Sequence, residues 1–578
     1  MKKLTVSMQE LEQVHPYLPQ ACQQLEQGRI SRREFLRTAT LLGLSAGTAM
    51  VAAGCGAAAT PPPTATPAPT ATPAASTIQR GGTLRVASQV LPVSHPARFL
   101  RLSQSANQFR PVFEYLTVTN RDNITQPYML DSWSTSDDLT TWTLNLRQNI
   151  TWTNGDPFTA EHVKFNFEQW LDPEIGSSIA SSWAGFLTPA GVEVIDDYTV
   201  RLNLDRPLLA VPEIMSDYPS MVIHPSFDGD ISSGDNPSTG PYTLGEYVLG
   251  SHARVVRRDD YWQMGQDGQP LPYLDAIEWR DLGPDQAEWI SALTSGQVDT
   301  MFSPNIETVR TLQGNDNFYV LTTGTAQARV LRFQVDREPW TDNRYVQAVK
   351  MCQDRQEIMN IAGLGQGLLG YDTHVSPVHP EFAPMEVPEF NPAAARVLLE
   401  SIGGREGRRL SLELTYGDSE PDTVAFAELL KENAAKAGIT IILNPMPTSE
   451  YLSPSDEYPE GVWLGVPVGI TPWAHRPLAV QVLPLAYTAG AVWNESHWVN
   501  EEFSNLLQQA QGALDIEARR SIMAELQRIQ SEEGSIGISW WLSSFAVINP
   551  GFQNVEAHPA NYALWNEVWY DPARDPLT

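Results

Sequence analysis

Cysteine is almost absent: Cys22, Cys55 and Cys352 are the only three in 578 residues. That excludes a disulfide framework and a Cys-rich metal site, and leaves Cys352 to be read as a buried small hydrophobe. Basic residues are scarce too. Lys and Arg number 38 against 68 Asp and Glu, a formal net charge of −30. Affinity for a phosphate backbone comes from clustered cations that release counterions, so a general nucleic-acid binder is excluded. No apolar run is long enough for a comfortable membrane span. The chain also lacks an ATPase signature and a His-Glu-x-x-His zinc motif, and nothing in it calls for a cofactor or a metal. What remains is globular material, 42% hydrophobic and 18% charged, enough for several domains around a large core.

The N-terminus carries the most specific signal. Ser31-Arg32-Arg33-Glu34-Phe35-Leu36-Arg37 precedes an uncharged run from Thr38 to Ala53 that ends in Ala52-Ala53-Gly54-Cys55. The adjacent arginines Arg32 and Arg33 read as a twin-arginine export signal, and the short run as its apolar region. The closing tetrapeptide resembles the bacterial lipoprotein box, in which small residues admit the signal peptidase and the Cys55 thiol accepts a lipid. Residues 1–55 are therefore expected to be a signal, with Cys55 the first residue of the mature, membrane-anchored protein; stable anchoring requires more than one acyl chain. Residues 56–77 are almost wholly Ala, Thr and Pro. They cannot build a core and favour polyproline II, whose roughly 3 Å per residue gives a tether of several tens of ångströms.

From Ile78 onward the pattern is mixed α/β. Thr83–Ser88, Thr141–Arg147 and Thr199–Leu204 alternate as strands. Thr159 opens an amphipathic helix through Phe165, Phe167 and Trp170. Leu410–Thr415, the helix Asp422–Ala437 stopped by Gly438, and Ile439–Leu443 form a βαβ unit, which argues for a partly parallel sheet.

Gly81-Gly82-Thr83-Leu84-Arg85-Val86-Ala87, Asp131-Ser132-Trp133, Trp142–Arg147, Asn154–Ala160 and Ser238-Thr239-Gly240-Pro241-Tyr242 follow one another along the first half. Val346–Lys350, Asp354–Ile358, Ser376–Pro380 and Asn391–Arg396 continue the series. In this order they resemble the landmarks of the extracytoplasmic solute-binding proteins of family 5, the oligopeptide-, dipeptide- and nickel-binding components of ABC importers. The resemblance implies an α/β, two-lobed clamp of the periplasmic-binding-protein kind, with mixed sheets, an extra inserted domain and a ligand cleft between the lobes. Lobe I would collect residues 78–119, 237–330 and 536–578, the inserted domain 120–236 and lobe II 331–535. The clamp would close on a peptide or related small solute and hand it to a membrane permease driven by separate ATPase subunits. The body is expected to be a monomer on the outer face of the cell membrane.

Peptide-binding members hold the ligand ammonium with an aspartate in a Trp-containing segment beyond the βαβ unit. Here that stretch corresponds to Gly469–Pro477, and no Asp or Glu occurs between Gly461 and Val492. A buried ammonium without a carboxylate is costly. His475 and Arg476 stand there instead, and Arg offers a fork to a carboxylate or other acceptor. An anionic or saccharide solute thus stands beside peptide. Trp473, Trp493, Asn494 and Trp541 are candidate contacts because clefts favour aromatics with a polar edge, and His95 follows from its loop after the first strand. The alternative for each is core packing, and for Arg476 a structural ion pair. Glu495 could replace the acid, though its neighbours suggest a solvent-facing turn.

Gly43-Leu44-Ser45-Ala46-Gly47 fits a nucleophile-elbow pattern but lies in the signal. Gly365–Gly370 fits a dinucleotide fingerprint but follows a helix. His374 and His379 sit in a Pro-rich stretch read as a surface loop rather than a metal site. A tethered hydrolase, or a sensor presenting its ligand to a receptor, are the alternatives to transport. The acid-free segment counts against the hydrolase.

Overall fold

A computed structural model describes residues 8–44 apart from 16, 28–29 and 43, and residues 78–577 apart from 94, 101, 232, 234, 408–409 and 492. Cys55, the tether 56–77 and most of the 43–47 motif lie outside the described residues. Three helices come first: α1 (Met8–Val14), α2 (Leu18–Glu26) and α3 (Arg32–Leu41). Ser31 caps α3 by accepting from the Glu34 N–H, and the Glu34 carboxylate accepts from the Ser31 N–H in return. That reciprocal box satisfies two otherwise orphaned donors and fixes where the helix begins.

Strand β1 (Thr83–Ala87) opens the body. Then β2 (Leu130–Thr135), β3 (Thr141–Leu146), β4 (Val192–Asp196) and β5 (Thr199–Asn203) form a separate antiparallel sheet in the order β2-β3-β5-β4. Alternation in β3 buries Trp142, Leu144 and Leu146 and leaves the intervening residues half-buried, as a sheet with one covered face requires.

Nine longer or central strands join β1 in one large mixed sheet. They are β6 (Tyr242–Val248), β7 (His252–Arg257), β8 (Ala276–Arg280), β9 (Thr300–Met301), β10 (Tyr319–Phe333), β11 (Ser411–Gly417), β12 (Thr440–Met446), β13 (Val468–Trp473) and β14 (Trp540–Ile548). Their order is β12-β11-β13-β10-β14-β9-β1-β8-β7-β6. The βαβ unit expected from the sequence is present: β11 pairs parallel with β12 across the helix Pro421–Ala437, whose Gly438 cap adopts φ 86°. Glycine meets that left-handed position without a Cβ clash.

Two long strands tie the sheet together. The first half of β10 pairs with β14 from Tyr319↔Ile548 to Gly324↔Ser543, and its second half pairs with β13 from Ala328↔Trp473 to Phe333↔Val468. The register slips between Gly324 and Ala328. Separate cores lie on the two sides: one around Leu84, Val86, Ile277 and Trp279, the other around Leu414, Phe426, Leu430 and Ile470. Cys352 is fully buried in the second. Among the described residues no helix is long and apolar enough to cross a membrane.

Candidate functional site

A cavity of about 730 Å³ opens where β10 and β14 pass from one core to the other. Asp285, Gln286, Asn305, Glu307 and Thr308 face it from the β1 side, and Gln366, Ser419, Glu420 and Asp422 from the β11 side. Gln327, Arg329, Trp540 and Phe545, on the two shared strands, form its floor. Each rim is made by a helix start. Asp285 caps the helix Gln286–Thr294 through the Ala287 N–H at 2.8 Å, and Asn305 caps Ile306–Leu312 through Thr308 at 2.9 Å. Opposite them Glu420 precedes the helix Pro421–Ala437.

Charge in the cleft is lopsided. Asp285, Glu307, Glu420 and Asp422 face one guanidinium, Arg329. Asp422 holds that group at 3.0 Å and Glu420 stands 3.5 Å from it. Burial pushes the Glu420 carboxyl up, while Arg329 pulls it the other way. Such a rim favours cationic and amide groups and repels anions; its volume is that of a small-solute site, typically ~300–1,000 Å³.

The residues singled out from the sequence lie elsewhere, and several of them meet. Trp473 packs on Trp493 with ring centroids 5.8 Å apart and on His374 at 5.0 Å; His374 also lies 5.8 Å from Trp541. Trp541 is fully buried, and its indole N–H has no hydrogen-bond partner. Its neighbour Trp540, one step along β14, points the other way into the cleft, as the two-residue period of a strand demands. Asn494 donates to the Trp498 carbonyl at 2.9 Å. His95 stacks edge-on to Phe227 at 4.9 Å, with burial lowering its pKa to about 4.

His475 and Arg476 line a seam against Asn123 and Asp217. The Ala326 N–H donates to His475 Nδ1 at 3.0 Å, so Nε2 carries the proton and donates to Asn123 Oδ1 at 2.9 Å. Arg476 stands 3.8 Å from Asp217 and edges a smaller cavity of about 230 Å³ with Phe186 and Arg206.

Two expectations need correcting. Glu495 is not on a solvent-facing turn: it is 3% exposed, accepts from Trp473 Nε1 at 2.8 Å and from the Thr471 hydroxyl, and pairs with Arg332 at 3.3 Å. The turn at 493–498 carries it back under β13, so an acid reaches Trp473 from outside the acid-free segment. Nor do His374 and His379 sit in a surface loop, being 1% and 3% exposed. They bond the Tyr487 hydroxyl at 2.8 Å and the Arg476 carbonyl at 3.0 Å. The cleft residues Asp285, Asn305, Gln327, Arg329, Glu420 and Asp422 went unmarked in the sequence. Asp285, Asn305 and Glu420 carry one local signal, a polar residue before a helix; Asp422 lies just inside that helix, and Gln327 and Arg329 lie on β10.

The model of the bacterial extracellular solute-binding proteins, family 5 Middle, matches residues 125–480. The chain belongs to that family. Dipeptide-binding protein DppE of Bacillus subtilis is 23% identical over 491 residues, 78% of this chain and 85% of the relative. Glutathione-binding protein GsiB of Salmonella typhimurium is 25% identical over 343 residues, 58% of this chain and 64% of the relative. Among solved structures, DppA from Helicobacter pylori in complex with peptide STSA superposes with a TM-score of 0.71 at 18% identity, covering 85% of this chain and 99% of its own. NikA from Brucella suis in complex with Fe(III)-EDTA gives 0.72 at 19%, covering 85% and 100%. These likenesses establish the two-lobed α/β clamp. As a family 5 member the chain is an extracytoplasmic substrate-binding protein of an ABC importer, with a small solute and a permease as its partners.

Proposed function

We propose that the solute is a short peptide or peptide-like molecule held in the 730 Å³ cleft with its ammonium end toward Glu420 and Asp422. The excess of carboxylates over guanidinium carries this reading. Side-chain amides of Gln286, Asn305, Gln327 and Gln366 supply donors and acceptors for peptide groups, and Trp540 and Phe545 supply apolar contact. The residues 78–119, 237–330 and 536–578 form lobe I in this reading, 331–535 form lobe II, and 120–236 form the inserted domain. The separate sheet β2–β5 and the two shared strands support that division. Trp473, His475, Arg476, Trp493, Asn494, Trp541 and His95 lie off this cleft and would meet solute only in a more open clamp. The protein acts as a monomer without catalysis, exported through Arg32 and Arg33 and lipid-anchored at Cys55.

Calorimetry with tri- and tetrapeptides, each with a free and an acetylated amino end, tests the assignment. Acetylation is expected to weaken binding at least about tenfold, or ~1.4 kcal/mol, and Glu420→Gln to narrow the gap. Equal affinity for both forms, or binding of dicarboxylates alone, would refute it.

A further inference from the structure

The N-terminal helices share the hydrophobic core of the body. Leu18, Phe35, Ala39 and Leu42 are fully buried in one cluster with Trp133, Leu139, Ile516 and Met523. Their polar contacts fall on both sides of one seam. On the lobe II side, Asp515 Oδ2 accepts from the Tyr17 hydroxyl at 3.1 Å, Gln20 Nε2 at 2.8 Å and Gln24 Nε2 at 3.2 Å. Its other oxygen caps the helix Ile516–Glu533 through the Ala518 N–H at 2.8 Å. Arg520 pairs with Glu34. On the inserted-domain side, Arg33 donates twice to the Asp122 carbonyl, Arg37 donates to the Asn123 carbonyl at 2.9 Å, and Trp133 Nε1 donates to the Leu41 carbonyl.

Arg37 is the centre of this contact. It is 5% exposed and within electrostatic reach of Glu381, from lobe II, and Glu213, from the inserted domain. Both acids are buried, at 0% and 2% exposure. A buried carboxylate is costly without a cation nearby, and the N-terminal segment supplies one to an acid on each side. The inserted domain is continuous in sequence with lobe I and is joined to lobe II by non-covalent contacts alone, among them Asn123 with His475 and Pro477, Leu209 with Gln511 and Asp217 with Arg476. A segment bonded to both sides therefore resists their separation.

We propose that residues 8–44 are a detachable clip: they bind the seam between the inserted domain and lobe II, hold the two together, and engage Arg33 and Arg37 on the body only while they stay docked. The body thus carries a specific docking surface for its own leader. The occupant is a set of three short helices with apolar residues buried on the body and arginines four apart, Arg33 and Arg37, on the last of them.

The test uses the full chain with a protease site placed within 56–77. After cleavage the N-terminal piece is expected to stay with the body on gel filtration at about 10 μM, a concentration that separates partners weaker than roughly −7 kcal/mol. In the uncut chain the α3 amides should exchange at least ~100-fold slower than free peptide. Arg520→Ala with Asp515→Ala should release the piece. Because Asp515 also caps a helix, Phe35→Asp on the clip itself serves as the second variant, which leaves every residue of the body unchanged and should release the piece too. Separation of the unmutated piece from a folded body, unprotected α3 amides, or undiminished retention of the Phe35→Asp piece would overturn the proposal.

Discussion

Acid should destabilise the fold through two histidines that are buried in the neutral form. In His379, Nδ1 accepts from the Ser376 N–H at 3.1 Å and Nε2 donates to the Arg476 carbonyl. In His558, Nδ1 accepts from the Ala560 N–H at 3.1 Å and Nε2 donates to the Thr119 carbonyl at 2.9 Å. A second proton would sit on Nδ1, facing an N–H, in a site already stripped of water. Burial is the main cause that lowers both to about 4. The folded values lie below the unfolded one near 6.5, so their stabilisation is complete above pH 6.5 and is lost as pH falls toward 4. At pH 5 each then costs about 2 kcal/mol, and the pair about 4, a large part of a domain's usual 5–15 kcal/mol. Denaturant titrations at pH 7.5 and 5.0 measure it. A His379→Gln/His558→Gln protein, whose amides can still donate to the same carbonyls, should lose about 4 kcal/mol less than the parent between the two pH values. Equal losses in the two proteins would refute the reasoning, since every other titrating group is common to both.

Glu213 runs the opposite way. Burial raises it to about 7, so its stabilising neutral form is lost as pH rises from 4.5 through 7. Glu213→Gln should therefore stabilise the full chain at pH 8, by up to about 3 kcal/mol, and leave it unchanged at pH 4, as thermal midpoints would record. Asp422→Ala strips the buried Arg329 of its nearer partner and should cost about 3 kcal/mol in urea unfolding. Arg329→Met with Asp422→Leu should restore most of that.

Local pattern carried the elements well. The alternation of Thr141–Arg147 and Thr199–Leu204 became β3 and β5, paired across Leu144↔Val200, and the helix Pro421–Ala437 begins one residue from its expected start. What the sequence could not display is where separated segments meet. Ser31 and Glu34 announce a helix start, but nothing near them announces Arg520 or Asp515, nearly five hundred residues away. The stretch before Val492 is free of acids as a run of letters, yet a six-residue turn brings Glu495 back to Trp473. In Trp540-Trp541 the sequence offers two identical side chains, and only the direction of β14 decides which one floors the cleft.

The break in register on β10 has a mechanical consequence. Between Gly324 and Ala328 the strand leaves its ladder with β14, and the groups there are met by side chains: the Thr325 hydroxyl donates to the Leu542 carbonyl at 2.7 Å and accepts from the Gln327 N–H at 2.9 Å. The two ladders on either side are thus coupled by a short stretch of backbone with few interstrand bonds of its own. Twisting one half of the molecule against the other would spend torsion in these residues and leave both ladders whole, so the sheet behaves less as one plate than as two plates on a common axle.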